Sequence, residues 1–108
     1  MNAKVRESDW KHFKRIRELA LERLCDRAMT DVVDKASDSS ISQHERFLAV
    51  YRSIKDYDKE IGSAFDGLSR SRMMMQLCFM RNLNLIEDSE LEAFTQEVQD
   101  QLKLFASL

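Results

Sequence analysis

No proline occurs anywhere in this chain, and only two glycines, Gly62 and Gly67, stand among its 108 residues. That scarcity constrains the fold more than any motif does. β-Architectures turn every few residues and lean on Gly and Pro to do so. Helices are the structures those two residues damage most. The residues in ready supply, Leu, Met, Glu, Gln, Arg and Lys, lose little rotamer freedom on entering a helix. The expectation is an all-α protein: one domain, built as a small bundle of about four helices with short loops. The apolar fraction of 44% is too high for a disordered chain, and the charged fraction of 33% is too high for a membrane one.

Periodicity places the helices. The spacing predicts helix over 9–36, 43–67, 71–84 and 88–106, with residues 1–8 as a flexible N-terminal stretch. The first helix carries Trp10, Phe13, Ile16, Ala20, Leu24, Ala28, Val32 and Ala36. Its later steps are all of four residues, so this stripe drifts around an ideal helix. Ser8 or Asp9 is its expected cap. Ser37-Asp38-Ser39-Ser40 reads as a loop, and Ser42-Gln43-His44-Glu45 as a capping box that starts the second helix. That helix bears the strongest repeat: Phe47, Val50, Ile54, Tyr57, Ile61, Ala64 and Leu68 alternate spacings of three and four, a heptad seam. Met73 to Met80 is apolar on nearly every side, which is the mark of a segment buried on nearly every side. Leu91, Phe94, Val98, Leu102 and Phe105 line the last helix, with Glu87 or Asp88 as its cap and acids crowding its first turn. Phe47, Ile54, Ile61, Leu77, Leu91, Phe94 and Val98 are the expected core.

Chemistry-bearing motifs are scarce. His12 and His44 sit near the starts of different helices, with no partner at a metal-ligand spacing, and read as surface histidines. Asp56-Tyr57-Asp58-Lys59-Glu60 resembles the opening of a calcium loop. The sixth position is Ile61 instead of glycine, and the twelfth is Gly67 instead of glutamate. No nucleophile elbow, phosphate loop or dinucleotide fingerprint is present. The expectation is therefore a protein that is not an enzyme and takes no cofactor or metal, and no small-molecule ligand is evident from the sequence. Cys25 and Cys78 lie in apolar stretches and read as small buried hydrophobes. The opening Met-Asn-Ala-Lys-Val-Arg-Glu-Ser-Asp has no apolar signal region, and no apolar run approaches a membrane span. A cytoplasmic protein is expected.

Two features point to partners. Residues 1–27 carry eight basic against five acidic side chains, and residues 70–86 carry three arginines and no acid. Lys11, Lys14, Arg15, Arg17, Arg70 and Arg72 would supply phosphate contacts if they met in space, making a nucleic-acid-binding regulator. A sequence pI near 5.7 disfavours a dedicated nucleic-acid binder. The other feature is surplus apolar surface. Met73, Met74 and Met75 cannot all face one thin core, and Phe105 and Leu108 lie at the C-terminal end. Leftover apolar surface marks interfaces, so the favoured expectation is a protein-interaction or assembly module, homodimeric by the commonest symmetry.

The stretch Trp10 to Asp26, with His44-Glu45-Arg46-Phe47, Asp58-Lys59-Glu60 and Leu85 to Leu91, resembles short bacterial helical proteins of no assigned function. The resemblance spans most of the chain. It implies a bacterial cytosolic protein and supplies no site.

Overall fold

A computed structural model describes residues 5–106, and every regular element among them is helical. α1 spans Glu7–Ala36, α2 Gln43–Phe65, α3 Met73–Asn82, α4 Asp88–Glu92 and α5 Gln96–Ala106, with a 3-10 turn at Arg70–Arg72 before α3. The all-α expectation holds, with five α-helices where about four were expected. The first helix starts at Glu7, and Val5 already packs against the core. Residues 1–4 lie outside the described range.

The lengths of the helices decide the shape. At 1.5 Å per residue, the 30 residues of α1 run about 45 Å, the 23 of α2 about 35 Å, and the 10 of α3 about 15 Å. Short helices cannot clothe long ones from end to end. α3, α4 and α5 gather around the N-terminal half of α1 and the C-terminal end of α2. The remainder of α1 and α2 projects as an antiparallel hairpin, giving extents of 55 × 26 × 26 Å. The core lies wholly in the base: Phe13, Ile16, Ala20, Leu24, Ala64, Phe65, Met73, Leu77, Met80, Leu85, Phe94, Val98 and Leu102. From Cys25 to Ser63 no hydrophobic residue is fully buried.

Local chemistry ends each element where the sequence suggests, with three exceptions. Ser42 accepts a hydrogen bond from the Glu45 N–H at 3.1 Å, the Ser42 half of the expected box. Asn84, with φ 58°, follows α3 in the left-handed conformation, the Leu85 N–H reaches back to the Met80 carbonyl and the Asn84 N–H to that of Arg81. Those two bonds are a Schellman motif, and both Met80 and Leu85 are buried beside it. The first exception is Asp9. It does not cap α1; it is buried, and its carboxylate accepts from the Thr95 N–H at 2.9 Å and hydroxyl at 2.7 Å. The second follows from it. That clasp sits where the expected helix 88–106 divides into α4 and α5. The third is the end of α2, which stops at Phe65, and Gly67 then turns the chain at φ 73°.

One ion pair ties the base together. Arg23 forms a two-pronged bond with Glu90, at 2.7 and 2.9 Å, and also donates to the Leu85 carbonyl at 2.8 Å. Glu90 further accepts from the Glu87 N–H at 2.8 Å, and its carbonyl accepts from the His12 Nε2–H. His12 is therefore half-buried and engaged, not a surface residue; its ring edge also meets Phe94, centroids 4.4 Å apart. The Arg23 hydrogen bond holds the Glu90 carboxyl below its ordinary range, against the upward push of burial. A depressed folded value stabilises the fold above the unfolded carboxyl value, near pH 4.3, and that stability is lost as pH falls through the folded value. Glu90→Gln should consequently lower stability at pH 7, and the gap from wild type should narrow steadily below about pH 4. Urea midpoints across pH 3–7 check this; a gap that stays constant would show that the pair does not titrate with folding.

Candidate interaction surface on the hairpin arm

The hairpin register is set by contacts that cross it. Arg46 Nε donates to the Ala36 carbonyl at 2.8 Å, the Tyr57 hydroxyl to Asp31 at 2.7 Å, and Arg17 to the Phe65 carbonyl at 2.6 Å. The heptad on α2 thereby splits. Its Val50, Tyr57 and Ala64 positions turn toward α1. Its Phe47, Ile54 and Ile61 positions lie about 40–60° further round the helix, and only Ile61, near the base, is partly covered; Leu68 falls beyond the end of α2 and is exposed. Phe47 is 68% exposed and Ile54 54%. The heptad pattern places both in the core, and the structure leaves both in solvent. The period was right, but no third helix reaches them. Phe65 makes the point: it stands 18 residues from Phe47, five full turns along the same face, yet it is 3% exposed because it lies in the base. The other expected core residues fall in the base: Leu77, Phe94 and Val98 are buried, and Leu91 is half-buried.

The two sides of the arm differ in character. One holds a polar cleft of about 330 Å³, lined by Arg27, Asp31 and Lys35 from α1 and Ser53, Asp56, Tyr57 and Glu60 from α2. The hydrogen bond to Asp31 raises the Tyr57 phenol above its ordinary value. At 100° per residue, Met29 and Val33 on α1 and Phe47, Tyr51 and Ile54 on α2 point away from that cleft. All five are exposed, and the register sets them at matching heights along the arm. They form an apolar face with two aromatic side chains, on a helical hairpin that presents it clear of the base.

The residues singled out from sequence are distributed as follows. Around Trp10 the structure brings together Lys14, whose Nζ lies 5.8 Å from the ring centroid, and Arg70, whose guanidinium lies 5.4 Å from it. Arg70 also pairs with Glu7 at 3.0 Å. Arg17 is stacked over Phe65 at 5.7 Å, and Arg72 donates to the Asp66 carbonyl. Lys11 and Arg15 are exposed. Met73 is buried, so it belongs to the core and not to a surface; with Gln76, Leu77 and Met80 it forms the inward stripe of α3. Met74 is half-buried, whereas Met75 and Phe105 are about half exposed and lie at the base, away from the arm. Leu108 lies outside the described residues. Sequence reading passed over Met29, Val33 and Tyr51 as an exposed set. The signal that would have found them is the shortness of the third predicted helix relative to the first two.

Among the described residues no group of three or more His, Cys, Asp or Glu is placed to hold a metal, and no helix is long and apolar enough to cross a membrane. Cys25 and Cys78 are free and half-buried. The chain matches no family model, no curated protein and no solved structure.

Proposed function

We propose that this protein is an interaction module, not an enzyme, and that it assembles as a homodimer through the apolar face of its hairpin arm. The observation that carries the reading is the exposed row Met29, Val33, Phe47, Tyr51 and Ile54 on one side of a two-helix projection. Contiguous apolar surface on a soluble chain marks a docking site, and aromatic side chains are enriched at such sites. An isolated helical hairpin with a bare apolar face gains most by covering that face. The nucleic-acid reading has less support, because Arg17, Arg70 and Arg72 already serve contacts within the chain.

Sedimentation equilibrium over micromolar concentrations tests the proposal. Wild type should approach twice the 12.7 kDa chain mass. Phe47→Asp with Ile54→Asp should remain at the single-chain mass with unchanged helicity, because both sites are exposed. A wild-type mass of 12.7 kDa throughout would overturn the dimer. Salt-sensitive binding of labelled DNA or RNA in a parallel titration would favour the alternative.

A further inference from the structure

We infer that the partner on the arm is a second copy of this chain in a defined register: the two arms point the same way, and α1 of each protomer lies along α2 of the other. This rests on the proposed docking role of the arm. The added observation is the charge that borders the apolar face. On α1 the exposed line that carries Met29 and Val33 continues toward the base as Asp26, Glu22 and Glu18, spaced 3, 4 and 4, so all lie on one side of the helix. On α2 the outer edge beside Tyr51 and Ile54 carries Arg52, Lys55 and Lys59, all exposed. Among the described residues, none of these six charges forms an ion pair within the chain.

Acid on the α1 edge and, apart from Asp58, base on the outer edge of α2 make the face self-complementary under one arrangement. The cross-hairpin contacts of Asp31 and Arg17 bracket Glu22 and Asp26, and set them about level with the part of α2 that holds Lys55 and Lys59. A two-fold axis along the arms turns α1 of one protomer toward α2 of the other while preserving height. Glu22 and Asp26 then meet the partner's Lys55 and the partner's Lys59, and the pairing occurs twice by symmetry. The same operation lays Met29 and Val33 against the partner's Ile54 and the partner's Tyr51. With the arms opposed instead, α1 would face α1, and the acidic line would extend past the partner's tip with nothing basic opposite.

Charge reversal with mixing tests the register. One variant carries Glu22→Lys and Asp26→Lys, the other Lys55→Glu and Lys59→Glu; circular dichroism confirms that these exposed changes leave the fold intact. Each alone sets like charges opposite each other on both edges and should dissociate about tenfold more readily than wild type. An equimolar mixture should recover wild-type association, because both edges of the mixed dimer again hold opposite charges. A mixture as weak as either variant, with wild type dimeric, overturns the register and leaves the arm as docking surface. A wild-type chain that stays monomeric overturns the register and the homodimer together.

Discussion

Phe13→Ala should cost about 3–5 kcal/mol of unfolding free energy, whereas Ile54→Ala should cost no more than about 0.5 kcal/mol at concentrations too dilute for association. Phe13 has no solvent exposure and stacks on Trp10, centroids 5.8 Å apart. It is held between the start of α1 and the elements that close the base. Truncation removes the transfer free energy of the ring and leaves a cavity that a close-packed core fills only in part. Ile54 has more than half of its surface in water already, so its truncation opens no cavity. The contrast is informative because sequence periodicity ranks Ile54 as the better core candidate. Urea unfolding of both variants measures it. A loss below about 1 kcal/mol for Phe13→Ala, or above about 2 kcal/mol for Ile54→Ala, would place the core elsewhere.

Asp9→Ala should cost about 2–3 kcal/mol. Its carboxylate crosses from the first turn of α1 to the Thr95 N–H and hydroxyl, between α4 and α5. Alanine would leave both donors without their acceptor beside a buried position. Asp9→Asn keeps one side-chain oxygen and should recover part of the loss. Thermal unfolding reports the magnitude, and amide exchange over 95–100 should accelerate in Asp9→Ala ahead of the other helices. A variant within about 0.5 kcal/mol of wild type would show that the clasp contributes nothing.

These two residues show which parts of the fold were legible in the sequence. Helix positions followed from spacing and from caps that act within four residues, so Ser42, Asn84 and the end of α1 at Ala36 could be read directly. The inward faces of Phe13, Leu77, Phe94 and Val98 were equally readable, because each lies on a stripe of its own helix. Coverage was not legible. A heptad states which residues share a face and leaves open whether anything lies over them, and Phe47 and Phe65 occupy one face with opposite fates. The Asp9–Thr95 clasp and the Arg23–Glu90 pair join residues 86 and 67 positions apart, and no local pattern signals either. Asp9 was assigned to the nearest helix start because capping is a local rule; burial sent it to a distant one. The basic candidates divided for a similar reason. Lys14 and Arg70 meet only because the 3-10 turn returns to Trp10.

The arm is the part of the molecule whose stability should depend on contacts with another copy. Hydrogen exchange at two protein concentrations, one well below and one well above the association midpoint, addresses this directly. Amides of 47–54 in α2 and 26–33 in α1 should exchange markedly more slowly in the concentrated sample, while those of α3 and the N-terminal half of α1 in the base change little. Arm exchange that is the same at both concentrations would contradict the account, because it would mean that the row from Met29 to Ile54 stays bare in solution.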